Sequence, residues 1–277
     1  ASSSGYTTDF YQYNHLGVGS QPPVVASAYS SFKTNSYFGR INYIYDEKYL
    51  FTLSSRYDGS SVFGTDNKYA LFPSGALGWV ITKENFFLNS SGLQKIFSFF
   101  KLRGTYGLTG NSPAAYSSLG TMGAYTVDLN NQIVKGTGVG TAPNPNLRWE
   151  KTAQLDIGAD IRMFDDRISL TVDGYSKKTT DLLFNVPVSV VSGYSTVTTN
   201  VGSVQNRGIE VMLDGAVVRN KDFGWNLSVL FAKNDNKVLA LGTTNADVIS
   251  SGFLGSSTIL RVGKPMGSFI GIQRLGT

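Results

Sequence analysis

Hydrophobic and polar residues alternate along the stretch from Ser36 to Thr82. Successive side chains of a strand point to opposite faces, so this alternation predicts strands with one apolar, aromatic face and one polar face. We interpret the stretch as three strands, joined by a tight turn at 46–48 and a polar loop at 58–68. The apolar positions of the first two strands are Tyr37, Ile41, Tyr43, Tyr45, Tyr49, Phe51, Leu53 and Tyr57.

The same alternation predicts five further strands. The clearest is 149–163, where Leu155, Ile157 and Ile161 alternate with Asp156 and Asp160. All eight predicted strands are 37–45, 49–57, 69–82, 99–108, 149–163, 168–173, 209–217 and 225–234. Pro73 cannot donate a backbone hydrogen bond, so it disfavours full pairing at the start of the third strand.

The segments between these strands lack a clear period. Residues 83–97 are predicted to form a connector with room for a helical turn, and 110–147 a long loop that contains Gly136, Gly138 and Gly140. The uncharged segment 182–206 is predicted to be strand or loop. The tail from Asp235 onward is predicted to be loop-like, with a short hairpin around 259–262 and 269–272.

Two fold classes place apolar residues on one face of each strand. In a soluble sandwich that face packs on a second sheet, whereas in an outer-membrane barrel it meets lipid and the polar face meets an aqueous lumen. The predicted connections alternate between shorter and longer ones, which is typical of membrane barrels with short periplasmic turns and long extracellular loops. The strands also approach the length of about 9–11 residues that a membrane crossing needs.

The distribution of aromatic residues and the composition favour the barrel. Aromatic side chains gather near predicted strand ends, as interfacial girdles require. Charged residues make up 16% of the chain, against roughly 25% in an ordinary soluble domain, and aromatic residues make up 13%. The sequence therefore predicts an all-β fold, an antiparallel transmembrane β-barrel with about eight meandering strands.

Charge, cysteine content and hydropathy exclude several classes. The net charge is +5, but Lys and Arg are scattered along the chain, so we expect no nucleic-acid partner. The absence of cysteine excludes disulfides, thiol nucleophiles and cysteine-based metal sites. No apolar run reaches the length of about 18 residues that a transmembrane helix needs, and the N-terminus does not resemble a signal peptide.

Several sequence words, in order from Ser36 to Gly271, resemble the SusC/RagA-like TonB-dependent outer-membrane transporters. Each word is weak alone, and it is their order along the chain that makes the resemblance specific. They are 36–40 (SYFGR), 56–64 (RYDGSSVFG), 72–79 (FPSGALGW), 101–111 (KLRGTYGLTGN), 144–152 (NPNLRWEKT), 180–183 (TDLL), 206–210 (NRGIE) and 261–269 (RVGKPMGSF).

The resemblance implies a barrel of about 22 strands with an N-terminal plug. It also implies a SusD-like surface lipoprotein as partner and energy from the TonB complex for the import of oligosaccharides or peptides. The expected location is the outer membrane of a Gram-negative, Bacteroidetes-like bacterium, in contact with its lipid. The chain would then be a partial barrel domain without plug or TonB-contacting segment: 1–35 an extracellular loop, 36–235 barrel strands and 236–277 an extracellular loop with a hairpin.

No residue pattern predicts catalysis, a cofactor or a metal. His15 is the single histidine and lies in the predicted N-terminal loop, so triads and histidine-based metal sites lack partners. Asp165 and Asp166 fit a turn better than a calcium site. Gly136, Gly138 and Gly140 follow no predicted strand and open no helix, so they do not match a dinucleotide loop. We therefore expect no enzyme.

Two groups of residues are candidates for contact with a substrate. Charged residues on the polar parity are predicted to face the lumen, either as an inter-strand charge ladder or plug-contacting wall, or as a substrate surface: Arg40, Arg56, Asp58, Arg103, Asp156 and Glu210. Aromatic side chains in predicted loops could stack on a sugar: Tyr116, Tyr125 and Tyr194.

Three functions remain open at the level of the sequence. The first is TonB-dependent import, with this chain supplying part of the barrel wall and surface loops. The second is a self-contained small barrel with a structural or adhesive role. The third is a soluble carbohydrate-binding β-sandwich, which requires the apolar face to be buried against a second sheet.

Overall fold

The computed structural model describes residues 29–130, 132–242, 244–251 and 257–271. His15 and most of the predicted N-terminal loop lie outside these residues. The unit that runs from Lys33 to Thr277 contains every strand and helix described below. Among the described residues, no helix is long and apolar enough to cross a bilayer.

Eight long strands form one antiparallel sheet in the order β1-β2-β3-β4-β8-β9-β12-β13, which confirms the predicted all-β meander. The first and last of them are the two edges of the sheet and do not pair with each other. Their bounds are β1 Thr34–Tyr45, β2 Tyr49–Ser60, β3 Tyr69–Val80, β4 Phe97–Asn111, β8 Glu150–Met163, β9 Ile168–Thr180, β12 Ser203–Arg219 and β13 Gly224–Ala240.

The connections between these strands sort by length onto two rims. The short-turn rim carries the turns 46–48, 164–167 and 220–223, and the connector 81–96 with the helices α1 (Asn85–Leu88) and α2 (Ser91–Ile96). The long-loop rim carries 61–68, 112–149, 181–202 and the segment after β13. The predicted alternation of short and long connections is therefore confirmed, and so is the helical turn in the connector.

The tight turns follow from local chemistry. Asp46 and Glu47 have φ angles of 49° and 51°, and the Lys48 N–H donates to the Tyr45 carbonyl at 3.0 Å. Positive φ at both central residues matches the right-handed twist of a hairpin, and Asp is among the residues that tolerate this region best. Asp165 and Asp166 also have positive φ, at 55° and 60°, in the predicted turn between β8 and β9.

The long loops contain more structure than the sequence predicts. Residues 110–147 hold the hairpin of β5 (Met122–Leu129) and β6 (Gln132–Val139), so Gly136 and Gly138 lie in a strand. The strand β7 (Thr141–Ala142) joins β10 (Leu183–Pro187) and β11 (Thr196–Asn200) in a small sheet. The prediction of a plain loop over 110–147 was wrong, because alternation across glycine-rich strands is weak.

The tail was also predicted with too little strand. β13 continues to Ala240, six residues beyond the predicted end at Asn234. A three-stranded sheet follows, formed by β14 (Val248–Ser251), β15 (Ser257–Leu260) and β16 (Ser268–Ile270). The predicted hairpin corresponds to the pairing of β15 with β16, although Ile272 lies outside the described residues.

Pro73 lies at a boundary in the pairing of β3. It is opposite Ser55 of β2, whereas β3 pairs with β4 only from Ser74 onward. The missing N–H of proline therefore removes no bond between β3 and β4, as the sequence led us to expect.

The apolar face of the large sheet is open. Ile41, Leu77, Ile157 and Phe231 are 64%, 63%, 63% and 56% exposed, and no second sheet covers them in the part of the chain that the structure describes. A soluble sandwich would bury these side chains. The sandwich interpretation is therefore wrong for the described residues.

The main buried hydrophobic cluster lies at the long-loop rim. It joins Val62 and Phe63 of the loop after β2 to Phe72, Leu147 and Trp149. The Trp149 ring lies 4.8 Å from that of Phe63 and 5.5 Å from that of Phe72, measured between centroids. This cluster joins the loop after β2 to the start of β3 and to the segment before β8, and so fixes where these long loops leave the sheet.

Candidate functional site

The six charged residues predicted to face a lumen lie on one face of the sheet, the polar face. In the strand register, Arg40 is opposite Ser54, Arg103 is opposite Gly158, and Glu210 is opposite Asp173. Arg56, Asp58 and Asp156 share their parity with these positions. The period of two along each strand was therefore enough to assign a common face.

Arg103 is the centre of a charge network on this face. Its Nη2 donates to Asp173 Oδ2 at 2.6 Å, and its Nε lies 3.4 Å from Asp160 Oδ2. Gly158 lies between the two partners of the shorter bond, and a Cβ atom built there would be 2.3 Å from Asp173 Oδ1 and 2.8 Å from Arg103 Cζ. Because Gly158 has no side chain, Arg103 of β4 can reach Asp173 of β9 across β8.

A groove of about 650 Å³ lies over this network. It brings together three of the predicted residues, Arg103, Asp156 and Glu210. The groove is also lined by residues that were not among the predicted candidates, including Asp173, Tyr175, Lys177 and Asn234. Asp173 lies on the polar parity of its strand, so alternation could have identified it. The Tyr175 hydroxyl donates to Asn234 Oδ1 at 3.1 Å, a contact that depends on the strand register and that alternation does not predict.

The other three predicted residues lie towards β1 and β2. Arg56 Nε donates to Asp58 Oδ2 at 2.6 Å, and Asp58 is only 4% exposed. The Arg40 guanidinium lies 5.4 Å from the centre of the Phe38 ring. A smaller cleft of about 380 Å³ extends from Arg40 across β2, β3 and β4 to Asp156, so the polar surface continues from the groove towards β1.

The three aromatic residues predicted for loops do not share one cavity. Tyr116 lines a cavity of about 640 Å³ at the long-loop rim, together with Phe184 and Asn185. Tyr125 lies in β5 and not in a loop, and its hydroxyl donates to the Val139 carbonyl at 2.7 Å. Tyr194 lies in the loop between β10 and β11, where it is half-buried. The expectation that Tyr125 belongs to a loop was wrong.

The segment 144–149, which we call the rim latch, connects the long loops to each other. Trp149 Nε1 donates to the Lys68 carbonyl at 3.2 Å, and Asn144 Nδ2 donates to the Thr198 carbonyl at 2.9 Å. Arg148 Nη2 donates to Asp181 Oδ1 at 2.6 Å, a bond that raises the pKa of the Arg148 guanidinium. The two sequence words around Gly64 and Trp149 thus meet in space.

At the short-turn rim, a carboxylate binds two aromatic side chains of the apolar face. Glu84 Oε1 accepts hydrogen bonds from the Tyr49 hydroxyl at 2.6 Å and from Trp79 Nε1 at 2.9 Å. These two bonds lower the pKa of the Glu84 carboxyl below its ordinary value. The arrangement satisfies the polar ends of Tyr49 and Trp79 while their rings stay on the apolar face.

No arrangement of acidic or histidine residues suited to a metal occurs among the described residues. What the polar face offers is a broad surface of alternating carboxylates, cations, amides and hydroxyls. Such a surface can contact polar solutes through hydrogen bonds and charge complementarity.

Comparison with known proteins gives one consistent result. The model of the TonB dependent receptor-like, beta-barrel family matches residues 2–264. The chain is 40% identical over 99% of its length to TonB-dependent receptor P26 of Formosa agariphila, and covers 28% of that protein. It is 37% identical over 74% of its length to the TonB-dependent receptor SusC of Bacteroides thetaiotaomicron, and covers 21% of it.

The solved structures of the RagAB peptide transporter are similar in fold. One superposes with a TM-score of 0.74 at 31% identity, over 91% of this chain and 27% of the other. The RagAB peptide importer in its closed-closed state gives a TM-score of 0.71 at 33% identity, over 84% of this chain and 25% of the other. The chain thus spans about a quarter of the length of its relatives, which are receptors and not enzymes. The resemblance seen in the sequence is confirmed, and the chain belongs to the β-barrel family of the SusC-like TonB-dependent receptors.

Proposed function

We propose that this chain is part of the wall and surface loops of an outer-membrane transporter that imports oligosaccharides or peptides in a TonB-dependent manner. The observation that carries the proposal is the division of one open sheet into an apolar face that no second sheet covers among the described residues and a continuous polar face. The apolar face is stabilised by contact with lipid, and the polar face is suited to an aqueous lumen.

The orientation follows from the two rims. We assign the short-turn rim to the periplasm and the long-loop rim to the cell surface, as membrane barrels generally arrange their connections. The partial barrel domain then has residues 1–35 and 236–277 at the surface, apart from the last residues of β13. Arg40, Arg56, Asp58, Arg103, Asp156 and Glu210 would face the lumen.

The partners follow from the family. A SusD-like surface lipoprotein would cover the long-loop rim, where the rim latch holds the loops in defined positions. Energy would come from the TonB complex through parts of the protein outside this chain. The similar RagAB protein is a peptide importer, which supports peptides as one substrate class. The groove around Arg103 carries charges of both signs, so it suits peptides and hydroxyl-rich glycans alike. The location would be the outer membrane of a Bacteroidetes-like bacterium.

The second candidate, a self-contained small barrel with a structural or adhesive role, has less support. Such a barrel needs its first and last strands to pair, because unpaired strand edges are not tolerated in lipid. Here β1 and β13 are separate edges. We therefore favour the transporter.

The proposal is tested by uptake into cells that carry or lack the full-length gene. Cells are given radiolabelled oligosaccharides or a defined mixture of peptides, with and without dissipation of the proton-motive force. We expect uptake of one class to require both the gene and the force. Glu210→Gln should lower uptake several-fold, whereas Ile209→Val, its neighbour on the apolar face, should not. Uptake of both classes that is independent of the gene would contradict the proposal.

A further inference from the structure

The apolar face changes character along β13. From the short-turn rim it presents Trp225, Leu227, Val229 and Phe231, and then, at the same parity, Lys233, Asp235 and Lys237. The change occurs between Phe231 and Lys233, while the strand continues regularly in register with β12. The face is thus lipophilic near the short turns and charged near the long loops.

The strands next to β13 carry charged side chains in the same rows of the sheet. Lys178 of β9 and Lys237 of β13 both pair with Gln205 of β12, one on each side. Arg207 lies between Ser176 and Asp235 in the next row. Lys151 of β8 is opposite Thr180, one row beyond that of Lys178 on the same face. We call these five residues the basic cluster: Lys151, Lys178, Arg207, Lys233 and Lys237.

The basic cluster has little internal compensation. At the long-loop end of β8, β9, β12 and β13, this face has five cations and the single carboxylate of Asp235. All five cations are exposed, and none forms an ion pair within the part of the chain that the structure describes. By contrast, Arg103 and Arg148 each have an aspartate partner. Uncompensated like charges on adjacent strands destabilise a sheet unless an anion lies between them.

The surface directly below the cluster is apolar. Phe231 lies one row closer to the short turns than Lys233, and Leu213 and Val229 lie two rows closer; they are 56%, 42% and 49% exposed. Ile157 and Ile209 are level with Lys233 and are 63% and 43% exposed. A ligand that satisfies both regions must have an anionic head and hydrocarbon chains that run towards the short-turn rim. A free anion would use only the upper region.

We propose that the basic cluster binds the phosphate groups of an anionic membrane lipid, whose acyl chains lie against the apolar residues below. Adjacent strands are about 4.8 Å apart, so Lys178 and Lys237 are roughly 10 Å apart, and four residues along β13 place Lys233 about 13 Å from Lys237. This spread suits a headgroup with more than one phosphate. The inference rests on the membrane placement proposed above and adds a specific lipid site to it.

The test uses the full-length protein in nanodiscs of phosphatidylethanolamine, titrated with diphosphorylated lipid A and followed by native mass spectrometry. Each cation near an anionic lipid surface contributes roughly fivefold in affinity, so the triple variant Lys178→Gln, Lys233→Gln and Lys237→Gln should bind lipid A roughly 100-fold more weakly. Asp235→Asn should bind it more tightly. Lys177→Gln, next to Lys178 but on the polar face, is the matched control for lipid binding and should leave it unchanged.

Several outcomes would overturn the inference. Equal binding by the triple variant and the unaltered protein would do so, and so would an equal loss in Lys177→Gln. Complete competition by inorganic phosphate would identify a free anion as the ligand, and capture of nucleic acid or an acidic protein in preference to lipid A would identify a macromolecule. The triple variant should still insert and import substrate, so failure of the lipid site is distinguishable from failure of the transporter proposal.

Discussion

A Cβ atom built on Gly64 would lie 2.0 Å from the carbonyl oxygen of Pro145. The two residues belong to sequence words that are 80 positions apart, yet their backbones touch. The φ angle of Gly64 is −59°, which any residue can adopt, so the glycine is needed for space and not for conformational freedom. Close backbone contact at this point lets Phe63 and Trp149 pack ring against ring.

We expect Gly64→Ala to loosen the rim latch without unfolding the sheet. The added methyl group must displace backbone, which generally costs about 1–3 kcal/mol. Hydrogen exchange of the full-length protein should become faster at 61–68 and 144–149 and stay unchanged in β12 and β13. Gly39→Ala is the control, because a Cβ there meets nothing within 4 Å. If the hydrogen exchange of 61–68 and 144–149 is the same in Gly64→Ala as in the unaltered protein, this account is contradicted.

Trp149 should contribute mainly through packing. Trp149→Ala leaves a cavity among Phe63, Phe72 and Leu147, for which losses of about 3–5 kcal/mol are typical. Trp149→Phe keeps most of the ring contact and loses only the bond to the Lys68 carbonyl, a loss of about 0.5–1.5 kcal/mol. Limited proteolysis after Lys68 and Arg148 should rank the variants in that order. Equal losses in the two variants would show that the hydrogen bond, which both variants lack, dominates.

The faces of the strands could be predicted from the sequence, whereas the contacts across strands could not. Asp156 and Glu210 fall on one face because side-chain direction depends only on counting by two along each strand. The meeting of Arg103 with Asp173 depends on the register of three strands and on Gly158 between them. A shift of one residue in either pairing would move one partner to the opposite face, and alternation alone does not fix that register.

The loop structure was missed for a different reason. The hairpin β5–β6 has glycine at 123, 136 and 138, so its apolar pattern is interrupted. Tyr125 covers this gap, since Cβ atoms built on Gly123 and Gly138 would lie 3.4 Å and 2.9 Å from its ring. The side chain that was interpreted as free to stack on a sugar is therefore engaged with its own hairpin.

Gly158→Ala should separate Arg103 from Asp173. The new methyl group would lie within 3 Å of both side chains, so one of them must rotate away. Both side chains are partly exposed, so we expect only about 1 kcal/mol of coupling energy between them to be lost. The coupling is measured by a double-mutant cycle of Arg103→Gln and Asp173→Asn, once in the unaltered protein and once in Gly158→Ala. Gly215→Ala is the control, with open space at its Cβ. Undiminished coupling in Gly158→Ala would show that the pair does not need this gap.

Acidification should break the contact between Glu84 and Trp79 at the short-turn rim. The bonds from Tyr49 and Trp79 hold the pKa of the Glu84 carboxyl below its ordinary value, so the charged form is the one that the folded protein favours. The stabilisation is therefore present at neutral pH and is lost as the pH falls through that lowered pKa.

The ¹⁹F resonance of fluorotryptophan at position 79, assigned with Trp79→Phe in the full-length protein, should shift in that acidic range and stay constant from pH 6 to 8. Glu84→Gln should abolish the shift, because its neutral amide does not titrate. A Trp79 resonance that titrates equally in Glu84→Gln would assign the change to another carboxyl group.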